Sequence, residues 1–348
     1  MVREQVDVPF AALTTLRVGG PARRLLVADT EEDVVEAVLG AAGAGRALMV
    51  LGDGSNLLVG SSGFDGDVLQ IANLGITVVD RDERHVEIRV AAGTPWVDVV
   101  AHCVDNGWGG IEALAGIPGR AGATPIQNVG AYGNEIADVL RAVGVLDRSS
   151  GTTRSLSDDA CRFGYRTSRF KAEPNHYVVL DLHLRLRADG LSAPVSYAEL
   201  AHVLGVEPGA RCPVADVESA VLELRRAKAM LLDPADHDTW SAGSFFTNPV
   251  LSPAAAAALP DDAPRFGQPD GRIKTSAAWL IERSGLARGF PGDGAPARLS
   301  TRHVLALTNR GAATTEDLLG LARHVREAVH TRFAVELTPE PVLVGCVL

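Results

Sequence analysis

The residues whose types could do chemistry gather in two glycine-rich segments and a few polar clusters. Gly52-Asp53-Gly54-Ser55-Asn56 follows a short apolar run over residues 47–51. Glycines in such a place let the backbone approach a ligand and turn N–H groups toward phosphate oxygens. Taken alone, the five residues read equally well as a tight turn. Their spacing matches neither the G-x-G-x-x-G dinucleotide fingerprint nor the Walker A pattern. The second segment runs over residues 116–133, Gly-Ile-Pro-Gly-Arg-Ala-Gly-Ala-Thr-Pro-Ile-Gln-Asn-Val-Gly-Ala-Tyr-Gly. Its glycines, prolines and small residues exclude a helix or a central strand. What remains is an extended loop lined with backbone amides, suited to a long phosphate-bearing ligand, or a structural Ω-loop.

Three further clusters carry reactive side chains. Arg166 lies in Cys161-Arg162-Phe163-Gly164-Tyr165-Arg166-Thr167-Ser168-Arg169-Phe170-Lys171. A planar, permanently charged guanidinium suits a carboxylate or enolate oxygen, although composition alone favours a surface cationic cluster. Ser244 lies in Ala242-Gly243-Ser244-Phe245-Phe246-Thr247-Asn248-Pro249, with no G-x-S-x-G around it, so a hydrolase elbow is not supported. Glu340 stands between Pro339 and Pro341, a setting that by itself describes a solvated turn. Asp233, Asp236, His237 and Asp238 have metal-ligating side chains, but their proline-containing loop reads more simply as solvated, and no metal is expected there.

These residues must be positioned by elements that alternate between helix and strand. Thr30 begins a capped helical run carrying Val34, Val35, Val38 and Leu39. Residues 85–90 alternate polar and apolar. Thr94-Pro95 predicts an N-cap followed by proline at the first helical position. Leu180, Leu182, Leu184 and Leu186 alternate with Asp181, His183, Arg185 and Arg187, which predicts a strand with one buried and one solvent face. Val217, Val221 and Leu224 mark an amphipathic helix ending near Lys228. Ser252-Pro253 opens an alanine-rich helix, and residues 276–284 predict another with Gly285 as its stop. Residues 314–330 predict the clearest helix of the chain, capped by Thr314 and Asp317, with Leu318, Leu321, Val325 and Val329 inward.

Composition narrows the function classes. The chain has 348 residues, 46% hydrophobic and 22% charged, enough to bury a large core and too apolar for disorder. Its net charge is −10, so bulk attraction to nucleic acid or to an anionic membrane is not expected, and a polyanionic ligand must meet locally placed cations. Only three of the 33 basic residues are lysines: Lys171, Lys228 and Lys274. Four dispersed cysteines without a CxxC argue against a disulfide scaffold or structural zinc. No signal peptide or membrane span is expected, and a reducing cytoplasm is the default location.

Residues 52–56 and 116–133 together resemble the flavin-binding part of the UDP-N-acetylenolpyruvoylglucosamine reductases. The likeness runs from Thr14-Thr15-Leu16-Arg17-Val18-Gly19-Gly20-Pro21-Ala22 to Leu337-Thr338-Pro339-Glu340. It implies an α+β fold: a two-part FAD-binding module of the vanillyl-alcohol-oxidase type plus a C-terminal α+β substrate-binding domain. The expected division is 1–70 and 71–222 for the two FAD subdomains and 223–348 for the substrate domain, whose last residues return toward the flavin. The resemblance implies FAD contacts for Gly52, Asp53, Gly54, Ser55, Asn56, Pro118, Gly119, Gly122, Gln127, Asn128, Gly130, Ala131, Tyr132 and Gly133.

By the same resemblance the catalytic residues are Arg166, Ser244 and Glu340, and the substrate contacts are Tyr197, Lys228 and Asn248. Tyr197 resembles the mobile-loop tyrosine of one subgroup, and Lys228 a diphosphate-contacting lysine. The implied reaction is NADPH-dependent reduction of the enolpyruvyl ether of a UDP-sugar, a step of peptidoglycan precursor synthesis. Flavin N5 would give hydride to the methylene, Ser244 the proton, and Arg166 and Glu340 would stabilise the intermediate. NADPH would reduce the flavin first and leave. Relatives can carry an arginine two positions after the glutamate, and Val342 departs from that pattern. An FAD oxidase of the same fold would share the glycine-rich segments without needing Ser244, Glu340 and Tyr197. A non-catalytic UDP-sugar binder is opposed by the presence of Arg166, Ser244 and Glu340 together.

Overall fold

The computed structural model describes residues 2–348 and divides into two compact units. The first comprises the N-terminal residues through Asp7 with Ala22–Asp53 and Asp65–Ala227. The second comprises Val8–Pro21, Gly54–Phe64 and Lys228–Leu348. Each unit has its own apolar core.

Two sheets build the first unit. One has the strand order Arg3–Pro9, Pro21–Ala28, Phe64–Ile71, Leu48–Leu51, its last two strands parallel. The helix Glu31–Gly43 joins two of these strands. Thr30 caps it by accepting from the Asp33 N–H, and Val34, Ala37, Val38 and Ala41 face the core. The fully buried Asp67 is matched by Arg24 at 3.1 Å and Arg46 at 2.9 Å, which offset the cost of burying its charge.

The other sheet is antiparallel, in the order Thr152–Ser157, Leu140–Asp147, Tyr177–Arg187, His85–Ala91, Ile76–Arg81. Its central strand carries the predicted alternation, with Leu180, Leu182, Leu184 and Leu186 all buried. The opposite face differs from expectation at Asp181, which is buried rather than solvated. Arg89 donates to its Oδ2 through Nε at 2.9 Å and Nη2 at 2.6 Å. Directly across lies Gly144, where a Cβ would sit 2.6 Å from the carboxylate. The period-two pattern gives the face of Asp181, not what covers it.

The helices Trp96–Asp105 and Val214–Ala227 pack into the same core. The predicted cap at Thr94 is corrected: Pro95 takes the N-cap position without a side-chain cap. The Thr94 hydroxyl instead accepts from the Gly75 N–H at 3.1 Å and donates to the Gly75 carbonyl at 3.3 Å. A tertiary partner has outcompeted the local one.

The second unit is organised by the helix Thr315–Phe333, whose Thr314/Asp317 capping box is formed. Ser276 caps the helix Ala277–Arg283, and Ser252 caps the short Pro253–Ala257. The hairpin Ala297–Leu299/Leu307–Asn309 and the parallel pair Leu57–Val59/Val342–Val344 complete the frame.

The acids of residues 233–238 take structural roles here. The buried Asp238 accepts from the Ser300 hydroxyl at 2.9 Å, Thr301 N–H at 3.0 Å and Arg310 Nη1 at 2.7 Å. Arg302 pairs with both Asp236 and Asp238. Burial pushes the Asp238 carboxyl up, but hydrogen bonds from Thr301, Ser300 and Arg302 outweigh it and hold the group below its ordinary range.

Candidate active site

In the first unit, residues 116–133 form an ordered loop that begins beside the strand ends. The backbone of Trp96 donates to the Gly119 carbonyl at 2.8 Å, and Gly122 donates to that of Ala92 at 2.8 Å. The loop then makes a 3₁₀ turn over Ala121–Ala123 and a short hairpin, Gly130–Ala131 against Asn134–Glu135. Asn128, buried and left-handed at φ 48°, ties the hairpin down. Its amide donates to Glu135 at 2.6 Å and to the Gly164 carbonyl at 3.2 Å, and its carbonyl accepts from the Ala137 N–H at 3.2 Å.

The glycines separate into two kinds. At Gly122 a Cβ would lie 2.6 Å from that of Ala92. Gly133 has φ +88° and is seated against the Ser196 hydroxyl. In the second unit Gly54, at φ +59°, lies against the Leu13 carbonyl. The chain's own packing requires glycine at these positions. Gly52 is different: a Cβ there would make only ordinary contacts, at 3.7 Å from Arg120. Nothing within the protein demands a glycine at Gly52, so an open backbone there fits a closely approaching cofactor.

Arg166 sits at the tip of a tight turn, closed by paired backbone hydrogen bonds between Gly164 and Thr167 at 3.1 Å. The Ser168 hydroxyl anchors the turn by donating to the Ile126 carbonyl at 2.6 Å. Arg166, at φ 52°, reaches the loop itself: Nη2 donates to the Gly130 carbonyl at 2.7 Å and Nη1 to that of Asn128 at 3.3 Å. The guanidinium is thus aimed by the same backbone that forms the predicted flavin segment.

Tyr197 precedes the helix Ala198–Leu204 and is 45% exposed. Its ring meets Tyr132 edge to face at 5.5 Å. Burial pushes the Tyr132 phenol up to about 12, against the opposing pull of Arg225. The Tyr197 segment therefore packs on the second glycine-rich loop through two adjacent residues, Ser196 on Gly133 and Tyr197 on Tyr132.

In the second unit, chain segments far apart in sequence meet at Ser244 and Glu340. Phe245 and Phe246, both fully buried, fix the segment after Ser244. Phe245 N–H donates to the Leu305 carbonyl at 2.8 Å, and Glu340 N–H donates to the Phe245 carbonyl at 2.8 Å. Thr247 N–H donates to the Thr338 carbonyl at 3.1 Å, extending this pairing. The first glycine-rich segment joins it: Asn56 donates its amide to the Glu340 carbonyl at 3.3 Å, and Val342 N–H donates to the Asn56 carbonyl at 2.9 Å. Ser55 accepts through its carbonyl from the Thr15 hydroxyl at 3.4 Å.

Asn248 is partly committed, since its side-chain carbonyl accepts from the Ala277 N–H at 2.9 Å. Lys228 follows directly on the helix Val214–Ala227. Val342, where relatives can carry arginine, is an exposed strand residue. Among the sequence-predicted residues, the structure brings Arg166 to Asn128 and Gly130, and Tyr197 to Tyr132, in one unit. It brings Asn56 to Glu340, and Glu340 to the segment following Ser244, in the other.

Sequence reasoning passed over Arg120. Its Nε donates to Asp53 at 2.6 Å, so the carboxylate predicted to serve the cofactor is already paired. The signal was present: Arg120 is the one charged residue in 116–133.

A family model described as FAD binding domain matches residues 22–157. The chain is an FAD-dependent oxidoreductase, with a binding module of the vanillyl-alcohol-oxidase type. A second model, the C-terminal domain of UDP-N-acetylenolpyruvoylglucosamine reductase, matches residues 233–344. The chain belongs to the UDP-N-acetylenolpyruvoylglucosamine reductase family. The reductase of that name from Streptomyces coelicolor is 53% identical over 100% of this chain and 92% of its own. That from Streptomyces avermitilis is 54% identical, covering 99% of this chain and 96% of its own. The crystal structure of the Thermus caldophilus reductase matches with a TM-score of 0.68 at 26% identity, covering 99% of this chain and all of that one. Among the described residues, no helix is long and apolar enough to cross a membrane.

Proposed function

We propose that this enzyme uses NADPH to reduce the enolpyruvyl ether of UDP-N-acetylglucosamine, giving UDP-N-acetylmuramate for peptidoglycan precursors. The observation that carries this reading is the near full-length match to reductases of that name, with Arg166, Ser244 and Glu340 all in place. When bound, FAD supplies hydride-transfer chemistry between NADPH and the enol ether. The remaining work falls to side chains. Ser244 donates a proton to the carbon bearing the ether oxygen, the carbon next to the one that gains hydride. Arg166 offers a fork to the substrate carboxylate, where charge builds during the reaction. Its orientation is supported by the bonds to the Gly130 and Asn128 carbonyls. Glu340 shares that charge as a proton-bearing partner. Lys228 and Asn248 hold the UDP portion, and Tyr197 closes over it.

The proposed division gives 1–70 and 71–222 to the two parts of the FAD module and 223–348 to the substrate domain. The enzyme would act in the cytoplasm on small molecules. The test is product analysis in deuterated water with NADPH and UDP-N-acetylglucosamine enolpyruvate. The expected product is UDP-N-acetylmuramate with one solvent deuterium on the carbon beside the ether oxygen. NADPH oxidation that yields peroxide and leaves the enol ether intact would overturn the reading.

A further inference from the structure

Residues 52–56 contain one charged side chain, Asp53, and residues 116–133 contain one, Arg120. The fold sets these two against each other, Arg120 Nε donating to Asp53 Oδ1 at 2.6 Å. The pair is partly buried, with the arginine side chain 19% and the aspartate 35% exposed. The other end of the guanidinium is anchored: Nη1 donates to the Gly93 carbonyl at 2.7 Å. Gly93 N–H donates to Asn73 Oδ1 at 2.9 Å, and Asn73 donates to the Leu180 carbonyl at 3.3 Å. Arg120 is therefore tied back to the central strand Tyr177–Arg187, and its stem lies beside the open backbone of Gly52.

A carboxylate in a loop that receives a dianionic diphosphate is a liability unless a fixed cation cancels it. We propose that Arg120 is a positioning residue for FAD, which neutralises Asp53 and clasps the two cofactor-binding loops together. This rests on the FAD binding that family membership carries. The clasp leaves the loops with no net side-chain charge, so that backbone and polar groups can receive the phosphates.

Charge cancellation and a plain structural tie differ in their symmetry. A tie is lost equally from either side. Cancellation is lost only when the cation goes and the anion stays. The experiment is FAD titration of the apoprotein by flavin fluorescence, with apoprotein melting as a parallel reading. Arg120→Gln should weaken FAD binding by about tenfold or more, the worth of one uncompensated charge near a bound anion. Added salt should recover part of that loss by screening. Asp53→Asn gives the baseline for any direct contact of that side chain with FAD, and adding Arg120→Gln to it should cost less than about threefold, against the tenfold expected in the unaltered protein. Arg120→Lys, which keeps the charge without the fork, should retain most of the affinity.

Equal losses from Arg120→Gln and Asp53→Asn that added salt does not lessen would overturn the proposal, as would an Arg120→Gln loss as large in the Asp53→Asn protein as in the unaltered one. So would a lysine variant as weak as the glutamine one, or full FAD affinity in Arg120→Gln. If Arg120→Gln does not fold, the lysine and double variants still decide. An unaltered protein that binds no FAD would overturn the cofactor reading itself, and that control involves no substitution.

Discussion

Residues 116–133 in the first unit hold their shape through backbone that comes too close for side chains. Gly122 lies against Ala92 and Gly133 against Ser196, while Arg166 holds the Asn128 and Gly130 carbonyls and the Asn128 side chain ties the loop to Glu135, Ala137 and Gly164. Ser244 and Glu340 in the second unit are held otherwise. Extended backbone hydrogen bonds and a single bridge from Phe246 to Pro339 join residues 245–247 to 305 and 338–340, over a pair of buried phenylalanines. In the first case the residue types themselves are dictated by close approach. In the second almost any sequence of the right polarity could pair, and the local pattern does not mark the two side chains to which we assign the chemistry.

This contrast can be broken or sharpened by substitution. The largest effect is expected at Ser244. Ser244→Ala should leave NADPH reduction of the flavin unchanged and slow enol-ether reduction by about 10²–10⁴-fold, the usual worth of a general acid. Stopped-flow measurement of the two half-reactions separates them, and equal slowing of both would remove Ser244 as proton donor.

Next comes the frame of the second unit. Asp238→Asn removes the counter-charge of Arg310 and one of those of Arg302, which keeps Asp236, and should cost about 2–3 kcal/mol in denaturant unfolding. The pH dependence has a definite sign. Asp238 is held below its ordinary 3.8 when folded, so its stabilisation is whole above that value and is lost as the pH falls through the lower folded-state one. The variant should show a flatter loss of stability in acid. An unaltered acid profile would mean that Asp238 is not the hub of that network.

Gly133→Ala should cost less, about 1–2 kcal/mol, because its φ of +88° is strained for any other residue and its neighbour is the Ser196 hydroxyl. Because the loop carries the Tyr197 segment, KM for the UDP-sugar should rise by a larger factor than any slowing of flavin reduction. A stability loss with no change in KM would separate the two roles.

The same contrast explains what could be read in advance. The strand Tyr177–Arg187, the helix Thr315–Phe333 and the caps at Thr30, Ser252 and Thr314 were legible because each depends on local periodicity or a side chain three residues away. Thr94 and Asp181 were misread because long-range partners, Gly75 and Arg89, decide their state. The loop 116–133 was legible as a loop from its glycines. The roles proposed for Ser244 and Glu340 rest on family likeness, since a serine beside phenylalanines and a glutamate between prolines carry no physical signature of their own. The pairing of Asp53 with Arg120 spans 67 residues and needed the fold to become visible.

The most direct test of the central claim is a two-step anaerobic absorbance titration of the purified protein. NADPH goes in first and UDP-N-acetylglucosamine enolpyruvate second. The account predicts that a flavin band bleaches with NADPH and returns with the enol ether in the absence of air. A band that bleaches but returns only with oxygen would contradict it.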